Sequence, residues 1–269
     1  FFFSKVGLLD GTAELRGSIP FNRFYGTFLK VLRPNMLKEV DGKTYFSASD
    51  RLIQFAASGL AGVWAEENTR EAIYDALKRK ETFATSGPRM KVRFFAGYDL
   101  ENSKLDDLSL IQDAYRSSIP MGGTLNISAN KNPTFLVWAI ADPVGAPLQR
   151  TQIIKGWLED GEHKEKVFDI ACSDGLSVDP ETYRCPDNNA WVDLSNCSIS
   201  ADSGAREMKV FWQDPEFIKN QGAFYYSRVL ENPVCRWSTW DSVRNGQKPR
   251  SDIPATIQER VWSSPIWFK

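Results

Sequence analysis

Residues 59–88, GLAGVWAEENTREAIYDALKRKETFATSGP, decide how this chain is read. GLAGVWA is a small, apolar run that suits a buried strand. Asn68 stands where an N-cap would, and Glu71 completes a capping box with it. Ile73, Tyr74 and Leu77 fall at helical spacing, and Lys78, Arg79 and Lys80 complement the dipole of the last turn. Thr82, Phe83 and Ala84 then begin a second extended piece, which Gly87 and Pro88 end. A strand–helix–strand unit ordinarily joins parallel strands, so 60–86 predicts an α/β element.

Downstream of Pro88 the pattern changes. MKVRFFAGYDL places Met90, Val92 and Phe94 on one side, and PTFLVWAIAD reads as a buried strand. QRTQIIKGWLEDGEHKEKVFDIA predicts two strands about an Asp160-Gly161 hairpin turn. GAREMKVFWQD sets Met208, Val210 and Trp212 on one face, and GAFYYSRVLENP is rich in strand formers. ATIQERVWSSPIWFK supplies one more extended segment. Strands with little helix between them predict an antiparallel β-sandwich, and the shift near 97–100 marks a boundary.

Composition narrows the function. The 269 residues carry 33 basic and 34 acidic side chains, well mixed, so no nucleic-acid partner is expected. No apolar run approaches the roughly 20 residues that span a bilayer. The single histidine, His163, lies in the charged turn LEDGEHKEK. Catalytic zinc usually takes two or three histidines and Ser or Cys nucleophiles usually need one as base, so both chemistries lack their parts here. Cys172, Cys185, Cys197 and Cys235 form no C-x-x-C pair. Three of them fall in a polar, turn-rich stretch that cross-links would restrain, which points to disulfides and a periplasmic or secreted protein. Four cysteines allow three pairings, and the sequence does not choose among them. The opening FFFSKVGLLDG has neither Met nor a signal-peptide pattern and reads as the middle of a longer protein.

The long stretches 59–95, FLVWAIADP with APLQRTQIIKGW, and FYYSRVLENPVCRWSTWD with ATIQERVWSSPIW resemble the bacterial family catalogued as domain of unknown function 3604. The likeness runs from KVGLLDGTAELRG to the last tryptophan. EAIYDALKRKETFATSGP also looks like the last helix and strand of carbaryl-hydrolase-like enzymes, metallohydrolases of the polymerase and histidinol phosphatase (PHP) superfamily. The resemblance implies an α+β chain: residues 1–97 the C-terminal strand–helix units of a PHP-like distorted α/β barrel, residues 98–269 an antiparallel β-sandwich with a C-terminal return strand. It further implies divalent zinc or manganese in the complete protein, held by upstream histidine–acid motifs in a missing N-terminal half. None is expected on this chain alone. The substrate would be a small ester or phosphoester, attacked by metal-activated water.

On that reading this chain supplies wall and loop residues. At the carboxyl end of a barrel strand, Glu66, Glu67 and Asn68 become substrate-pocket candidates, although helix capping alone accounts for their type and place. Asp10, Glu14 and Arg16 of LLDGTAELRG are candidates at a pocket entrance, with a plain surface loop as the simpler account. Arg89 would pair with a carboxylate or an anionic ligand. Ser86 has no neighbouring histidine, which makes TSGP a structural turn. The alternative is a non-enzymatic module whose sandwich recognises a glycan or a partner protein, with RWSTW and WSSPIWF as its aromatic platform.

Overall fold

The computed structural model describes residues 3–5, 37–46, 59–100, 104–128, 130–219 and 221–269. In chain order the first elements are β1 (Phe3–Lys5), β2 (Leu37–Val40), β3 (Lys43–Phe46), β4 (Leu60–Val63), α1 (Arg70–Lys78), β5 (Thr82–Thr85) and β6 (Lys91–Gly97). Next come α2 (Leu110–Ser117), β7 (Ile119–Pro120), β8 (Thr124–Leu125), β9 (Thr134–Ile140), β10 (Leu148–Glu159), β11 (Glu162–Cys172) and β12 (Glu207–Gln213). The chain closes with β13 (Ala223–Glu231), β14 (Val234–Cys235), α3 (Trp237–Arg244), β15 (Thr256–Ile257), β16 (Arg260–Ser263) and β17 (Ile266–Phe268).

Two sheets pack face to face. The larger runs β1-β4-β5-β16-β13-β10-β11, with β17 and β8 attached beside β13, and the smaller runs β12-β9-β6-β7. Alternation along the strands builds the core between them. Val92 and Phe94 of β6, Phe135 and Val137 of β9, Ile153 of β10, Phe168 of β11, and Tyr225 and Val229 of β13 are all fully buried there. Asp160 and Gly161 take φ of 51° and 80° at the β10–β11 hairpin, the geometry that Asp-Gly favours. The far face of the smaller sheet packs Phe95 and Leu136 against Leu110 and Ala114 of α2. Sequence periodicity did not announce α2 or α3, each of eight residues.

The barrel expectation is overturned. β4 and β5 are antiparallel, with Gly62 opposite Phe83, and β5 is antiparallel to β16 at Val261–Ser263. The described strands close no barrel, and all but one of their pairings are antiparallel, the exception joining β17 to β8. The cause lies in α1. A parallel crossover lays its helix along the sheet, but α1 has nine residues and buries only Ala76. Tyr74 and Leu77, expected on a core-facing stripe, are exposed. Lys80, at φ 60°, then reverses the chain, and Trp64 N donates to Glu81 O at 3.0 Å to start the antiparallel ladder. The helix is thus a decoration on a long hairpin connection.

Both disulfides are present, Cys172–Cys185 and Cys197–Cys235. Cys172 ends β11, and its bridge closes a loop of sequence separation 13 that holds few apolar residues. Chain-entropy arguments put such a loop at about 3 kcal/mol. The double variant C172S/C185S should therefore lower the unfolding free energy measured in urea by that amount, with m rising as the unfolded chain expands; an unchanged free energy would show that the loop is restrained by other contacts.

Candidate functional site

The described residues form a concave site of about 510 Å³ where the β4–α1–β5 hairpin meets β6 and α2. Trp64, directly after β4, turns its ring inward against Phe83 and donates its indole N–H to Val92 O at 2.8 Å. Arg93 lies on the strand face opposite the core, because the neighbouring Val92 and Phe94 take the inner one. Its guanidinium stacks on the Trp64 ring, 3.6 Å from the centroid. So stacked, the group presents its N–H donors edgewise, and Nη1 donates to Tyr115 Oη at 2.9 Å. The Tyr115 hydroxyl donates in turn to Glu81 Oε1. Arg79 Nη2 approaches the other carboxylate oxygen at 3.5 Å.

This chain of contacts sets the protonation state of the phenol. Burial first, then the Glu81 carboxylate that its hydroxyl meets, push the Tyr115 pKa up to about 12, so the hydroxyl stays protonated at neutral pH. Phe95 meets the phenol ring edge-on at 5.0 Å and fixes its plane. The site therefore offers rigid guanidinium N–H donors suited to a carbonyl or phosphoryl oxygen, with carboxylates at Glu81 and, on the rim, Glu66.

Of the sequence candidates, Glu66 alone lines this cleft. Glu67 and Asn68 are exposed on the approach to α1, and the N-cap is Thr69, whose hydroxyl accepts from Ala72 N at 3.2 Å. Arg89 is exposed, and its backbone N–H donates to Asp142 Oδ2 at 2.6 Å. Asp10, Glu14 and Arg16 lie outside the described residues. Ser86 accepts from Arg260 N at 2.8 Å and its own N–H donates to Arg260 O at 2.9 Å, a seam between β5 and β16. Trp64, Arg79, Glu81, Arg93 and Tyr115 escaped the sequence reading. The one legible signal was Arg93, a charge flanked by the apolar Val92 and Phe94.

A family described as Protein of unknown function (DUF3604) matches residues 14–269. The chain belongs to that family. Searches among curated proteins and among solved structures returned no match. The match covers every residue of the cleft in this DUF3604 chain.

The donor set in the cleft does not fit a divalent ion. Glu81 is already met by Arg79 and Tyr115, and two guanidiniums oppose a cation beside it. Among the described residues, no three side chains of His, Cys, Asp or Glu are grouped to hold a metal. His163 is exposed on the β10–β11 hairpin, opposite Leu158. Among the described residues no helix is long and apolar enough to cross a membrane.

Proposed function

We propose that this DUF3604 chain is the substrate-holding part of a hydrolase of small esters or phosphoesters, and that the Trp64–Tyr115 cleft receives the polar group of the substrate. The supporting observation is the Arg93 guanidinium, clamped flat on Trp64 and relayed through Tyr115 to Glu81. Arg93 and Arg79 would bind an ester or phosphoryl oxygen, while the neutral Tyr115 hydroxyl orients the guanidinium and holds a proton at Oη. Metal-activated water is the chemistry that the likeness to carbaryl-hydrolase-like enzymes suggests, with zinc or manganese ligands outside the described residues. The disulfides support a periplasmic or secreted setting.

The full-length protein should hydrolyse members of an ester and phosphoester panel when supplied with zinc or manganese. Arg93→Gln and Tyr115→Phe should each lower kcat/KM about 10- to 100-fold, the loss of one charge-assisted hydrogen bond. Turnover unaffected by both substitutions would remove the cleft from the reaction.

A second reading, a glycan-binding module, draws on the outer face of the larger sheet. There Trp267, 43% exposed, packs on Phe224 at 5.2 Å, and Phe224 stacks near Tyr226 at 6.4 Å. Retention of glycans that is lost on Trp267→Ala, without turnover of any ester, would favour it.

A further inference from the structure

On the outer face of the larger sheet, three neighbouring strands bring three arginines together. Leu230 of β13 is paired with Arg150 of β10 on one side and with Arg260 of β16 on the other. Arg228, two residues before Leu230, shares that face and is paired with Gln152 and Trp262. All three arginines are half-buried.

Neutral oxygens hold them. Arg228 Nε donates to Gln152 Oε1 at 2.6 Å, and Arg260 Nε and Nη2 donate to Gln258 O at 3.2 and 3.0 Å. Arg150 Nη1 donates to Gln149 Oε1. The buried Nε of Arg150 has no hydrogen-bond partner and lies 3.9 Å from Asp169 Oδ2. That carboxylate is already taken: it accepts from Gln152 Nε2 and Cys185 N, and Arg184 reaches it at 3.6 Å. Burial first, then repulsion from Arg228, holds the Arg260 guanidinium below its ordinary pKa; Glu259 opposes the shift and Arg150 adds to it. The acids in reach, Asp169 and Glu259, thus leave a surplus of positive charge in a partly dry setting.

We propose that Arg150, Arg228 and Arg260 form a binding site for a phosphate-bearing small molecule, separate from the Trp64–Tyr115 cleft. Like charges held together out of water are costly, and an anion relieves that cost. Three guanidinium forks on three strands offer more donors than the two oxygens of a carboxylate can accept, whereas a phosphate has the oxygens to engage all three. The near-zero net charge of the chain fits a small ligand better than a nucleic acid.

The test is isothermal titration of the full chain with inorganic phosphate at fixed ionic strength, with chloride as the matched control. Saturable binding is expected for phosphate and not for chloride. Arg228→Gln and Arg260→Gln should each weaken it at least tenfold, and Lys164→Gln, on the β10–β11 hairpin away from both sites, should leave it unchanged. Because Arg228 and Arg260 also donate to Gln152 Oε1 and Gln258 O, cooperative melting of the variants without phosphate is the control. Should either Gln variant melt poorly, Arg228→Lys, which keeps the charge and removes the fork, takes its place. Absence of saturable phosphate binding, or binding that survives both substitutions, would overturn the proposal.

Discussion

Stability should fall as pH rises from about 5 to 8, and Glu231→Gln should remove most of that fall. Glu231 sits at the end of β13 with 1% exposure, and its Oε2 has no hydrogen-bond partner. Burial first, then the neighbouring carboxylates Glu259 and Asp142, push its pKa up to about 8 from 4.5. Glu259 also interacts with Arg236. The sign follows from proton counting. Below about 4.5 both the folded and unfolded states hold the proton, so the contribution is complete. Between there and about 8 the unfolded chain releases the proton while the folded chain keeps it, and stability declines with each unit. At ~1.4 kcal/mol per unit, the full interval amounts to about 5 kcal/mol. Urea midpoints of wild type and Glu231→Gln at pH 5, 6.5 and 8 measure it, because other titrating groups cancel in the difference. Parallel profiles for the two proteins would show that Glu231 ionises in the fold without penalty.

Sequence periodicity carried the sandwich but not its edge. Val92, Phe94, Met208 and Tyr225 alternate as half-buried strands do, and Asp160-Gly161 marks its turn, because those signals are local and have a fixed period. The β4–α1–β5 unit misled for a physical reason. Its helix propensity, dipole complement and Gly-Pro stop are real, yet whether such a helix crosses a sheet or merely decorates a hairpin depends on what its apolar side chains find to cover. Tyr74 and Leu77 find nothing among the described residues, and Ala76 alone is buried in that helix. Glu66 was legible because it adjoins a strand end. Arg93 and Tyr115 were not, since 22 residues and a short unannounced helix separate two groups that touch. The arginine cluster was equally hidden: Arg150, Arg228 and Arg260 meet only through the strand order β10-β13-β16, which no spacing along the chain reveals.

The other large effect is expected at Lys155, where Lys155→Met should cost about 3–5 kcal/mol. Lys155 projects from β10 of the larger sheet into the core, and Asp214 follows β12 of the smaller one, so their contact bridges the two layers. Nζ donates to Asp214 Oδ2 at 2.7 Å and to Glu216 O at 2.8 Å, with side-chain exposures of 4% for Lys155 and 0% for Asp214. Tyr225, fully buried, donates its hydroxyl to the same Oδ2 at 2.7 Å. Burial, and next the Asp214 charge, push the phenol pKa far up, so it remains a donor at any pH the fold survives. Removing the ammonium leaves the buried Asp214 carboxylate with only the Tyr225 hydroxyl and the Glu216 N–H as donors and no opposite charge, which is why the single substitution is severe. The double variant Lys155→Met/Asp214→Leu removes both charges and should recover about half of the loss. It stays below wild type because the Tyr225 hydroxyl and Glu216 carbonyl lose their partner, at about 1–3 kcal/mol each if they remain dry. Urea unfolding of the two singles and the double gives the coupling energy directly. A double variant as unstable as the sum of its singles would mean that the charges do not depend on one another, and the bridge between the sheets would then owe its strength to packing alone.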